Sequence, residues 1–227
     1  KKEELTEAFK KTAFDWIAEK GFFAKVFPVE KEHNSEKKFS FSSLTGYTDL
    51  VDITDTFKAP FYNSGLMVDG MGYSEEMTPK YIEPTTLDKI VEDGPVAEKY
   101  YIKGEAYKKW EYLKGAKKIE RTAKTGFSYM FSEGPIAFPD PLDRPGRTML
   151  TSEGTLNRSS HIIEDKATKQ LRILTPIECE RLNGFPDDWT NTGMPDRMRY
   201  FCMGNALVVQ MITRMGKVLD TIIAEEQ

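Results

Sequence analysis

Residues Arg172 to Trp189 read Arg-Ile-Leu-Thr-Pro-Ile-Glu-Cys-Glu-Arg-Leu-Asn-Gly-Phe-Pro-Asp-Asp-Trp. Thr175-Pro176-Ile177-Glu178 has the composition of a capping box: the threonine hydroxyl can accept from the amide three residues on, and Glu178 can reach back. Pro176 falls at the first helical position, where its missing N–H costs nothing. Gly184 suits a left-handed residue just past the helix, and Phe185-Pro186 prevents continuation. The stretch predicts a short helix from Pro176 to Asn183, opening a helical tail. Any soluble protein can own such a helix, so the stretch by itself assigns no chemistry.

Downstream, Met203 to Val209 read Met-Gly-Asn-Ala-Leu-Val-Val. From there Leu207, Val208, Met211, Ile212, Met215, Val218, Leu219, Ile222 and Ile223 recur at three- and four-residue steps. That spacing predicts a helix with one wide apolar stripe facing a core or a partner. Asn205 is expected to cap its N-terminus, where free amides and a partial positive charge could also help to hold a polar ligand group. Upstream, Asp143 to Gly154 read Asp-Arg-Pro-Gly-Arg-Thr-Met-Leu-Thr-Ser-Glu-Gly.

Elsewhere the pattern is mixed. Glu3 to Lys20 reads as an amphipathic helix with Leu5, Phe9, Ala13, Trp16 and Ile17 on one face and Gly21 as its stop. Phe22 to Val29 looks like a strand, and Lys31 to Lys38 like a charged loop. Phe39 to Pro84 shows no clear period and suggests irregular structure with short strands. Thr85 to Asp93 suits a short helix. Phe127 to Ser132, Arg147 to Ser152, His161 to Asp165 and Gln170 to Thr175 read as strands, the last two joined by a tight turn. The fold class expected is α+β: a small mixed domain of short antiparallel strands, loops and helices, followed by a C-terminal helical tail.

With 227 residues the chain is long enough for a sizeable core in one or two domains. No apolar run approaches ~18 residues, so no membrane partner is expected. The two cysteines, Cys179 and Cys202, lack metal-ligand spacing and fit a reducing cytosol; with only His33 and His161 present, no metal site is expected. The net charge of -4 argues mildly against a free-standing nucleic-acid binder. Yet Lys103 to Lys124 is locally basic and carries Tyr107, Trp110 and Tyr112. That stretch suits phosphate contact. It suits equally a solvated amphipathic helix burying Ala106, Trp110 and Leu113.

Taken in order, the three blocks at Asp143, Arg172 and Met203 resemble the closing third of bacterial DNA (cytosine-5) methyltransferases of the restriction–modification type, where they correspond to the ninth and tenth shared motifs. The resemblance covers roughly the last hundred residues. It implies an intact enzyme that takes methyl from S-adenosylmethionine and places it on carbon 5 of a cytosine flipped out of duplex DNA. In that family a cysteine thiolate attacks carbon 6 and a glutamate assists at the ring nitrogen. A variable target-recognition domain, lying before the ninth motif, reads the sequence. The family also implies a bacterial cytoplasmic, nucleoid-associated setting.

The chain departs from that family's pattern in the parts that do chemistry. The Phe-x-Gly-x-Gly cofactor loop, the Pro-Cys nucleophile, the Glu-Asn-Val block and the Gln-x-Arg-x-Arg block are absent, and neither cysteine follows a proline. No catalytic residue is therefore expected in this chain, which by itself is expected to be inactive. Residues 1–21 are expected to be a leading helix or linker from a catalytic domain, 22–170 the target-recognition domain with the ninth motif, and 171–227 the helical tail with the tenth. The catalytic domain would lie in the same full-length chain or in a separate subunit. By resemblance, Asn205 and Ala206 line part of the S-adenosylmethionine pocket, which the catalytic domain mainly builds.

Double-stranded DNA is the other expected partner. Arg121 and Lys124 can donate to guanine O6 and N7, Thr122, Thr125 and Ser128 can donate or accept, and Glu133 can accept from cytosine N4. Arg158 and Ser159 make a plausible phosphate clamp. For any one of the hairpin residues an ordinary β-hairpin with polar outward side chains is the better account, and plain surface solvation accounts for Arg158 and Ser159 equally well. Arg144 and Arg147 are read as organising the ninth-motif turn, with Arg147 pairing with a carboxylate. The alternative overall is a stand-alone sequence-specific DNA-binding module derived from such an enzyme.

Overall fold

The computed structural model describes residues 6–30, 36–41, 48–57 and 61–227. The chain forms two compact units, residues 1–82 with 213–227, and residues 83–212. These boundaries differ from the 21/22 and 170/171 divisions drawn from sequence. The α+β expectation holds: among the described residues seven short strands, all in antiparallel pairs, mix with helices, and the C-terminal elements are helical.

In the first unit, α1 (Glu7–Asp15) is capped by the Thr6 hydroxyl and continues into a π-helical turn, Trp16–Lys20, that stops at Gly21. The expected Glu3–Lys20 helix is thus shorter and ends under-wound; Leu5 lies outside the described residues. Phe22–Val29 is not a strand. Phe22–Val26 forms helix α2, burying Ala24 and Val26. An apolar run this short has no period that separates the two states. The Arg214 guanidinium settles the helix end by donating to the Val26 carbonyl at 2.7 Å. Three strands follow, β1 (Lys38–Phe41), β2 (Ser64–Val68) and β3 (Met71–Glu75), with helix α3 (Leu50–Thr56) between the first two. They pair in the order β1-β3-β2. Asp69 and Gly70 both have positive φ, the two-residue turn that matches strand twist in a hairpin.

The second unit holds the rest of the strands. Helix α4 (Ala106–Lys114) buries Trp110 and, one turn on, Lys114, while Lys108 and Lys109 stay exposed. Gly115 ends it and leads into a hairpin of β4 (Lys117–Thr122) and β5 (Ser128–Glu133). A second hairpin pairs β6 (Ile162–Glu164) with β7 (Leu171–Ile173) through a turn in which Lys169 takes φ 60°. Three helices complete the chain: α5 (Pro176–Leu182), α6 (Asp196–Asn205) and α7 (Val209–Glu226). The core of this unit comprises Leu87, Ile90, Val91, Met149, Ile163, Leu174, Cys179, Tyr200 and Met203.

The quoted stretch folds as its residues dictate. Both halves of the Thr175–Glu178 capping box are present, and Gly184 sits at φ 80°. Arg172, with none of its surface exposed, lies between two carboxylates: its Nε donates to Asp165 at 2.7 Å, and its two Nη donate to Glu178 at 2.7 and 2.6 Å. Glu178 also accepts from the amides of Glu92 and Thr175. Strand, turn and helix are thereby fastened by one buried cluster in which a single guanidinium serves two carboxylates and backbone amides supply their further hydrogen bonds.

Two expectations fail in this unit. Arg147–Leu150 has no regular structure and joins no ladder, and the chain turns from Thr151. Its backbone instead packs under α6, where Gly204 faces the Leu150–Thr151 peptide. Asn205 does not cap the last helix; it is the final residue of α6, and three non-helical residues intervene before α7. Asparagine suits both helix ends, so composition alone leaves the assignment open. Among the described residues no helix is long and apolar enough to cross a membrane.

Candidate nucleic-acid interface

The β4–β5 ribbon is packed on neither face. Side chains alternate across it, so Lys117, Ile119 and Arg121 share one face with Tyr129, Phe131 and Glu133, while Lys118, Glu120 and Thr122 share the other with Ser128, Met130 and Ser132. Nearly all are exposed, and Phe127 at the tip is 68% exposed. A lone two-stranded ribbon is at best marginally stable in water. This one is held at its root.

Arg158 supplies much of that hold. Its guanidinium donates to the carbonyls of Leu113 and Gly115 at 2.7 and 3.1 Å and to that of Gly134, clasping the polypeptide on both sides of the hairpin, and lies 3.6 Å from Glu133. Lys117 lies 3.5 Å from the same carboxylate. Beneath, the Lys114 ammonium donates to the Ser160 carbonyl and sits 3.7 Å from Asp140. Asp140 accepts two hydrogen bonds from Arg147, at 2.8 and 3.1 Å, and one from the Ile162 amide at 2.9 Å. Burial pushes the Lys114 ammonium down to about 8, with Asp140 opposing and Arg147 reinforcing that shift. Burial raises the Asp140 carboxyl, but Arg147, the Ile162 amide and Lys114 outweigh it and hold it below the usual range. Arg147 therefore has the carboxylate partner its position suggested.

At the free end, Ala123 accepts from the Gly126 amide and its own amide donates to Phe127, with Gly126 at φ 85°. That left-handed position is where glycine is needed. The Thr122 and Ser128 hydroxyls lie 3.0 Å apart, and the Arg121 guanidinium lies 3.7 Å above the centre of the Phe131 ring.

The expected DNA-contacting residues thus divide into two groups. Arg121, Thr122, Lys124, Thr125 and Ser128 gather on the outer half of one ribbon, all exposed. Glu133 and Arg158 meet at its root, where the arginine is engaged with backbone carbonyls. Ser159 gives its amide to Asn157 and its carbonyl to Arg147, a turn-building role. Arg158 is therefore engaged through its guanidinium and Ser159 through its backbone. Phe131 and Tyr129 were not singled out by sequence, although the Tyr-x-Phe alternation opposite Ile119 and Arg121 carries the signal. The basic Lys103–Lys124 stretch combines both readings: a solvated helix that buries Trp110, then a protruding basic strand.

Asn205 and Ala206 stand apart from the ribbon, at the end of α6. Asn205 is exposed; its side-chain amide donates to the Phe201 carbonyl at 3.0 Å, which directs the amide oxygen's accepting capacity outward. Ala206 packs against the unit's core. The α7 stripe is present but unburied: Met211, Ile212, Leu219 and Ile223 are all exposed. Cys179 is fully buried within α5, and desolvation, reinforced by Glu153, Glu178 and Glu180, pushes its thiol far up; Cys202 lies half-buried on α6.

Residues 21–221 match the family described as C-5 cytosine-specific DNA methylase. The Type II methyltransferase M.Sau3AI of Staphylococcus aureus is 46% identical over 206 residues, covering 91% of this chain and 48% of that protein. The Type II methyltransferase M.DsaV of Dactylococcopsis salina is 29% identical over 150 residues, covering 66% of this chain and 39% of that protein. The chain therefore spans about half, or less, of the curated relatives it matches. Among solved structures, the S. pombe Dnmt2 methyltransferase covers 67% of this chain and 53% of its own at 13% identity, with a TM-score of 0.42. The chain belongs to the C-5 cytosine-specific DNA methylase family.

Proposed function

We propose that this member of the family is the DNA target-recognition part of a cytosine-5 methyltransferase, with the β4–β5 ribbon reading duplex sequence from the major groove. One observation carries the reading: a ribbon unpacked on both faces, rooted by Arg158 and presenting Arg121, Thr122, Lys124, Thr125 and Ser128 to solvent. The major groove of B-form DNA admits a two-stranded β-ribbon, and these side chains offer the donors and acceptors that base edges require. Loss of a side chain that touches bases weakens binding to the cognate site, whereas loss of a phosphate contact weakens all DNA alike.

The nucleophile comes from catalytic sequence outside these 227 residues, in the same polypeptide or another. The exposed α7 stripe supplies an apolar surface against which that catalytic part packs. S-adenosylmethionine, when bound there, supplies a methyl group activated by its sulfonium. Asn205 fits as one wall of that site, its outward amide oxygen able to accept from an ammonium, and Ala206 holds the wall to the core. The test is methyl transfer to duplex DNA by this chain alone, by a supplied catalytic part alone, and by both together. Transfer only by the pair is expected; transfer by this chain alone, or no gain from its presence, overturns the reading.

A further inference from the structure

Arg121 and Phe131 lie diagonally across the ribbon on one face: Arg121 is opposite Tyr129, and Phe131 is opposite Ile119, two residues back. At 3.7 Å from the ring centre, the guanidinium is in van der Waals contact with the aromatic face. Such stacking attracts the cation and occupies the flat side of the guanidinium, leaving its N–H edge for other partners. Among the described residues the Arg121 side chain has no hydrogen bond and no ion pair. Arg147, Arg158, Arg172, Arg181 and Arg199 contrast with it, each being committed to carboxylates or carbonyls. A long, rotamer-rich side chain on an open surface normally loses entropy when a ligand fixes it. Here the ring has already restricted it.

We infer that Arg121 is a guanine-reading residue of this protein, and that Phe131 is the positioning residue that holds its donor fork ready for O6 and N7. The inference rests on the DNA-reading role proposed above and sharpens it: of the ribbon's cations, Arg121 specifies sequence, while Lys118 and Lys124 contribute charge. A lysine lacks the planar fork and meets the same acceptors as a mobile point charge, without that fixed paired geometry.

The full chain is used to select duplexes from a random pool, and each guanine of the enriched site is then replaced singly by 7-deazaguanine, which lacks the N7 acceptor. Wild-type binding is expected to fall about 10-fold at one guanine. R121A is expected to bind the unmodified site about 10-fold or more weakly and to be indifferent to the 7-deaza change there. R121K keeps the charge without the planar fork and is expected to show a smaller 7-deaza penalty than wild type. F131L is expected to lower discrimination at the same guanine with unchanged binding to random duplex, and F131Y to restore it. A 7-deaza penalty equal in wild type and R121A, or an F131L protein that discriminates as wild type does, overturns this inference while leaving a DNA-reading ribbon intact. Failure of the chain to enrich any duplex overturns both.

Discussion

A Cβ placed on Gly204 would stand 2.5 Å from both the carbonyl carbon and the carbonyl oxygen of Leu150. Helix α6 therefore lies directly on the Leu150–Thr151 peptide, and two sequence blocks some fifty residues apart meet through backbone. Backbone cannot swing aside as a flexible side chain does. Gly204→Ala is expected to cost about 3 kcal/mol, at the upper end for overpacking, read as a lowered urea midpoint with an unchanged slope.

Removing Arg172 strands Asp165 and Glu178 in the interior. Arg172→Met is expected to destabilise the chain by about 3–5 kcal/mol, the range for one partner lost from a buried ion cluster. Arg121→Ala, on the open ribbon, is expected to change stability by less than about 0.5 kcal/mol. Chemical denaturation of the two variants side by side checks the contrast.

Lys114 gives a pH dependence with a definite sign. Its side chain is 1% exposed and its folded pKa is lowered from 10.5 to about 8, so between those values the unfolded chain binds the extra proton. Stability then rises as pH rises across that window, by about 1–3 kcal/mol. Lys114→Met is expected to flatten the rise, leaving Asp140 still paired with Arg147. Urea midpoints of both proteins at pH 7 and pH 10 give the comparison; an equal rise in the variant excludes Lys114 as its source.

Arg158→Ala is expected to loosen the ribbon without unfolding the unit. Amide hydrogen exchange should speed up across residues 117–133, and the α5 amides should keep their protection. Equal acceleration in both would show that Arg158 supports the core rather than the ribbon's root.

Arg121 and Lys124 together are expected to contribute more to the selected site than to random duplex. Replacing both with Ala should weaken binding to the selected site by more than binding to random duplex, and should lower the slope of log affinity against log salt by at most about 2. Equal losses on both duplexes would mark the pair as phosphate contacts.

The sequence was most legible where the determinants are local. The Thr175–Glu178 capping box, Gly184 and the β6–β7 hairpin each depend on residues within a few positions of one another, and all formed as read. Misreadings gathered where distant partners decide. Phe22–Val26 became a helix whose last carbonyl is satisfied by Arg214; Asn205 closed a helix instead of opening one; Arg147–Ser152 formed no strand, its Leu150–Thr151 peptide lying against Gly204 of α6. In the candidate interface, spacing placed the outer ribbon residues together. It gave no sign that Arg158 is consumed by three carbonyls, or that Lys114 is buried under Ser160, because those partners lie 24 to 46 residues away.

The ribbon's independence from the core has an evolutionary corollary. Substitutions along residues 118–132 meet almost no packing constraint, so that surface can drift through many chemistries while Arg158 and the Asp140 cluster keep it mounted in the same place. A descendant chain could acquire a different preference by changing a few outward side chains, with no interior change needed to accommodate it.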